Sequence, residues 1–194
     1  MVRSLPADEL LRRAREAAGT RDVRVAVRDL TLHALRSRPL SSGHIATVAR
    51  TVGQGIRSCP VTPVEPVRQA RREAWRGLED AVGDALQAVE AAARDFAREP
   101  SRLSPAQRRD AIEGLAGVSR ALDEEWDQPR FVPEALRARI ATVATLLGES
   151  PAGARTPASA GEDDDALSRA ASEVLQELSE RTGENASGTP PRKA

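Results

Sequence analysis

The sequence predicts an all-α protein: an antiparallel helical bundle with one long amphipathic helix, an N-terminal helical module, and a flexible C-terminal helix and tail. Three observations carry this. Trp75, Leu78, Val82, Ala85, Val89, Ala92 and Phe96 recur at alternating spacings of three and four, which sets them on one stripe of a single helix. Aromatic residues are 2% of the 194, with no tyrosine, so the core must be made of Ala, Leu and Val, whose small side chains suit close helix-on-helix packing. No Asn-Gly or Asp-Gly hairpin turn lies between β-branched runs.

Each element has local support. Pro6 suits the first position of a helix over 6–18, Asp8 and Glu9 suit its N-terminal dipole, and Gly19 suits its end. A second helix over 21–36 puts Val23, Val27, Leu30 and Ala34 on one face, with Val25 and Leu32 partly opposite, and Pro39 ends it. Ser41 or Ser42 caps a third helix carrying Ile45, Val48, Val52 and Ile56, whose last turns Gly53 and Gly55 weaken. Residues 1–58 therefore read as a basic N-terminal module. Pro60, Pro63 and Pro66 favour extended polyproline II over 59–66, a semi-rigid spacer.

The bundle proper is expected over 64–148. Its long helix runs over 64–98 and stops at Pro100. Ser104-Pro105-Ala106-Gln107 offers an N-cap serine, a first-turn proline and a glutamine to complete a capping box. Ile112, Leu115, Val118, Leu122 and Trp126 line the helix that follows, and Pro129 and Pro133 bracket a turn into a helix carrying Leu136, Ile140, Val143 and Leu147. Short loops between three helices predict antiparallel neighbours. A reversal near Pro100 would stack Val89 on Ile112, Ala85 on Leu115, Val82 on Val118, Leu78 on Leu122, and Trp75 near Trp126. Residues 149–163 read as a flexible linker, 164–182 as a detached acidic helix with Leu167, Ala171, Val174 and Leu178 on one side, and 183–194 as a disordered tail. Removing residues 150–194 should then leave the bundle folded.

Charge is balanced overall but not along the chain. Residues 1–76 hold 15 Arg against 7 Asp/Glu, and the remainder holds the opposite excess. Mutual attraction of the two parts explains this simply; nucleic-acid binding by the first part is the alternative. A single cysteine rules out an intrachain disulfide, no apolar h-region opens the chain, and no apolar run is long enough to span a bilayer. A cytoplasmic location is expected.

No constellation points to catalysis. His33 and His44 lack the further ligands of a metal site, and Cys59 has only Arg57 nearby to lower its pKa and no histidine partner. Asp123, Glu124, Glu125 and Asp127 share one solvated turn, whereas an acid/base pair needs two different environments. No phosphate-loop, dinucleotide or nucleophile-elbow pattern occurs. No catalytic residue, cofactor or metal is therefore assigned.

Two resemblances bear on function. Residues 110–122, DAIEGLAGVSRAL, resemble the helix-turn-helix of the lactose-repressor class, in which Gly117 would open the turn and Ser119 and Arg120 would begin the recognition helix. The apolar stripe, however, passes through Gly117 without a change of phase, which predicts a continuous helix. GTRDVRVAVRDLTLHALR (19–36), the Val52–Ile56 segment, AWRGLEDAVGDAL (74–86) and the restart at Leu103-Ser104 resemble an uncharacterised family of small helical proteins from proteobacteria, over roughly residues 19–126. That family is in turn similar in architecture to phasins, which coat polyester granules; this chain has more prolines between its helices and fewer aromatics.

The expected function is non-catalytic: self-association or adaptor binding to another helical protein, with a hydrophobic granule or lipid surface as one candidate partner. The expected interaction surface is Ala81, Leu86, Ala88 and Ala93, a second apolar strip beside the main stripe that two bundle neighbours would leave open. The N-terminal helices folding back over this strip is the alternative.

Overall fold

The computed structural model describes residues 5–59, 65–99, 102–125, 133–148 and 166–187. Among these residues are seven helices: α1 Ala7–Ala17, α2 Val23–Leu35, α3 Ser42–Arg57, α4 Glu65–Arg98, α5 Pro105–Glu125, α6 Glu134–Gly148 and α7 Ala166–Ser187. Helix starts follow the sequence signals. The hydroxyl of Ser41 accepts the backbone N–H of His44 at 3.2 Å, capping α3. At α5 the capping box is reciprocal: Ser104 N–H donates to Gln107 Oε1 at 2.7 Å, and Gln107 N–H donates to Ser104 Oγ at 3.2 Å. The α5 helix runs through Gly117 unbroken, so the repressor-like string is not a helix-turn-helix here.

The packing partners differ from those expected. The α4 helix packs chiefly against α2, α7 and α6, and α5 packs chiefly against α3 and α6. The antiparallel stacking of Val82, Ala85 and Val89 on the stripe of α5 is therefore not the organising contact. A short connection brings two helix ends together but does not oblige the helices to lie side by side. Here the close approach is made elsewhere. At Gly77 of α4 an added Cβ would lie 2.3 Å from the carbonyl oxygen of Arg24, so only the absence of a side chain lets the backbone of α2 cross there. Beyond the crossing, Arg24 grips Asp80 with two hydrogen bonds of 2.7 and 3.0 Å, and Arg28 bonds Asp84 at 2.7 Å. Both pairs advance by four residues together, so α2 and α4 run in the same direction. The same holds for α3 and α5, where Ser42 faces Gly114 and Ala46 faces Gly117.

The division at 59–66 consequently does not separate two modules in space. Buried residues of α1, α2 and α3 belong to one continuous core with those of α4 to α7. Pro66 is the second residue of α4. Pro60 and Pro63 lie outside the described residues, as do Trp126, Asp127, the 149–163 linker and residues 188–194. Gly55, expected only to weaken α3, is where α1 crosses it: a Cβ there would be 2.5 Å from that of Ala14.

The C-terminal helix also departs from expectation. It is not detached: Ala171 and Leu175 are fully buried, and α7 lies along α4. It extends to Ser187, into the stretch expected to be a disordered tail. No helix among the described residues is long and apolar enough to cross a membrane.

Candidate functional site

The expected interaction strip is interior. Ala81, Leu86 and Ala88 are 0% exposed and Ala93 is 1% exposed. Two bundle neighbours could not cover both strips of α4, as the sequence implied, but four helices of this chain do pack on it: α2, α3, α6 and α7. The fold-back alternative is the one realised, with α7 joining the N-terminal helices. The four residues thus stabilise the fold of a single chain.

What remains recognisable as a binding arrangement is the seat of α7. Its inner face consists of Leu167, Ala170, Ala171, Val174, Leu175 and Leu178, small and branched residues at helical spacing. Two serines on α7 fix the docking. Leu40 N–H donates to Ser172 Oγ at 2.9 Å, and Arg36 Nη2 donates to Ser179 Oγ at 2.6 Å. Each hydroxyl in turn donates to its own helix, to Ser168 O and Leu175 O, both at 2.7 Å. Serine suits both tasks because a hydroxyl accepts while it donates. The α6 helix is tied to α4 by Arg139, 3.3 Å from Glu90.

A concave feature that sequence reading missed lies at the other end of α3 from the Leu40–Ser172 contact. A cleft of about 500 Å³ is bounded by the ends of α1 and α3 and the first turns of α4, with Ile56, Cys59 and Val67 among its walls and Arg15, Arg68 and Arg71 around it. The only sequence signal was Arg68, Arg71 and Arg72 standing ahead of the stripe that starts at Trp75. Burial pushes the Cys59 thiol up from its ordinary value, against the opposing charges of Arg15 and Arg71. A thiol that holds its proton is a weak nucleophile.

The two histidines have different surroundings. His44 is half-buried and its Nε2 lies 3.1 Å from the carbonyl oxygen of Ala34; burial lowers its pKa. His33 is exposed. No group of three metal-ligating side chains forms among the described residues. Of the acidic cluster, Asp123 is engaged by Arg137 at 2.9 Å and Glu124 lies 3.7 Å from Arg50, so these carboxylates join helices.

A family model described as a family of unknown function (DUF6781) matches residues 3–124. The chain belongs to that family. No curated protein and no solved structure matches the chain. The DUF6781 match covers α1 to α5 without interruption at 59–66, in keeping with a core those five helices share, and it ends before α6 and α7.

Proposed function

We propose that this chain is a non-catalytic helix-binding protein. It associates with itself or with another helical protein through the face of α4 that α7 covers. The observation that carries this reading is α7 itself. It lies beyond the family match, follows a 17-residue connection over 149–165, packs on α4 through small apolar residues, and is fastened by two serine hydrogen bonds to Arg36 and Leu40 between α2 and α3. Such a seat accepts an amphipathic helix as helix-in-groove recognition does. A tethered occupant has an effective concentration of roughly millimolar, so a competing helix must bind strongly or act when α7 is released. The cytoplasm is the compartment this reading implies, since a half-buried thiol such as Cys59 stays reduced there.

A granule or lipid surface is a poorer fit. Val25 and Val67 are the exposed large hydrophobics among the described residues, and they form no continuous apolar face. Nucleic-acid binding loses its main support as well. Arg24, Arg28 and Arg50 of the basic part are paired with Asp80, Asp84 and Glu124 of the acidic part, and Arg12 and Arg13 are paired with Glu9. A Leu175→Asp variant, which places a carboxylate in the seat, separates these readings. It should keep a cooperative melt, take up a labelled peptide of residues 166–187, and associate more strongly in light scattering than the parent. A folded variant that ignores the peptide and stays monomeric would sink the proposal. Salt-sensitive retention of the parent on DNA would revive the nucleic-acid reading.

A further inference from the structure

A second cavity, of about 460 Å³, opens where α3, α5 and α7 meet, within the range of small-molecule sites, roughly 300–1,000 Å³. Two helices begin at it, α3 at Ser42 and α7 at Ala166, and their first turns supply Ser42, Gly43, Leu167 and Ser168 to its wall. The Ser41 hydroxyl is taken by the N–H of His44, which leaves the N–H groups of Ser42 and Gly43 without an acceptor among the described residues. Ser42 itself is 5% exposed, and its Oγ enters no hydrogen bond among the described residues. That oxygen is not sealed off by its neighbours, so it faces the cavity that Ser42 lines. Leaving such a hydroxyl unpaired is costly, and a ligand that bonds it removes the cost. On α5 the cavity is lined by Asp110, an exposed carboxylate with no ion pair or hydrogen bond among the described residues. One turn along α5, Gly114 lets the start of α3 come close: an added Cβ would lie 2.6 Å from Ser42 Cβ and 3.0 Å from Gly43 N. Asp110 therefore stands about one helical turn, roughly 5.4 Å, from the contact with Ser42. Neither a plain anion nor a plain cation suits this wall. Asp110 repels the first, and the positive ends of two helices repel the second. A zwitterion satisfies both.

We propose that this cavity binds a free α-amino acid with a branched apolar side chain. The α-carboxylate accepts from Ser42 Oγ and the N–H of Gly43 at the start of α3, and the α-ammonium donates to Asp110. The side chain lies against Leu103 and Leu167, which line the same cavity, and its burial there removes apolar surface from water. The site exists with α7 in its seat and does not rest on the helix-binding reading.

Equilibrium dialysis of radiolabelled L-leucine against the full chain tests this. Leucine should be retained in a saturable way and displaced by unlabelled leucine. Two analogues each lack one charge: 4-methylpentanoate has no ammonium, and 3-methylbutylamine has no carboxylate. Both should compete at least about tenfold more weakly, since each forfeits a charge-assisted hydrogen bond. Asp110→Asn, at an exposed position, should raise the dissociation constant about tenfold or more, and Ser42→Ala about fivefold, as loss of a neutral hydrogen bond does. The analogues are compared on the parent chain, so they decide the matter even if a variant does not fold. No retention at millimolar leucine, equal competition by either analogue, or undiminished binding in a variant that melts like the parent would each overturn the proposal.

Discussion

Single atoms decide where these helices touch. Replacing a helix-interior glycine by alanine ordinarily stabilises by up to about 1 kcal/mol. At Gly83 that gain should appear, because the new methyl would lie 3.5 Å from Leu136 Cδ2, an ordinary contact. At Gly77 the same change drives a methyl into the backbone of α2, and forced overpacking should cost about 1–3 kcal/mol instead. Urea unfolding of the two variants should move in opposite directions; equal shifts would mean the α2–α4 crossing is wrong. The sequence made Gly55 visible as a weak helix former and left Gly77 unremarked, and nothing in a propensity tells a flaw from a crossing point. His44 makes a second residue-scale prediction. Burial holds its folded pKa below 6.5, so the unfolded chain binds the proton first as pH falls. The stability tied to neutral His44 is complete above pH 6.5 and is lost as pH drops through the window beneath it. Melting temperature should fall with acidification more steeply in the parent than in His44→Gln; parallel profiles would refute this.

At the scale of elements, periodicity and caps were legible and partners were not. The stripe of α4, the Ser104–Gln107 capping box and the continuity of α5 through Gly117 were all readable, because each depends on neighbours within a few residues. Which helix covers which stripe depends on close approaches between distant segments, and Ala81, Leu86, Ala88 and Ala93 carry no mark of their neighbour. The α7 helix was misjudged for the same reason: its breaker-rich approach suggested detachment, while its Ala-Ser-Leu face was built for docking. Leu175→Ala should therefore destabilise the protein by about 2–4 kcal/mol, as a fully buried leucine does. Deleting residues 150–194 should lower the melting temperature and expose dye-binding apolar surface, contrary to the expectation of an indifferent tail. An unchanged melt after deletion would show that α7 contributes nothing to the fold.

Across the whole molecule, the charge asymmetry resolves into contacts between its two parts. Arg24 is half-exposed, so its pair with Asp80 should contribute no more than about 1 kcal/mol and weaken with salt. Arg28 is 24% exposed, and Arg28→Gln should cost more than Arg24→Gln and show less salt dependence in urea titrations. If both variants unfold like the parent at low salt, the asymmetry has no structural role. The sequence showed the imbalance and allowed mutual attraction as its cause. It could not show that the pairs lie on helices running the same way.

That shared direction has a consequence for how the chain is made. Arg24 and Arg28 each await a carboxylate 56 residues downstream. At roughly 5–20 residues per second, a ribosome supplies those residues on the order of 3–11 s later. The face of α2 that will meet Gly77 is therefore without its counterpart for seconds after it is synthesised, a long interval beside the microseconds in which a helix forms. Nascent chains arrested before residue 80 should offer that face to chaperones, and those extended past α4 should not.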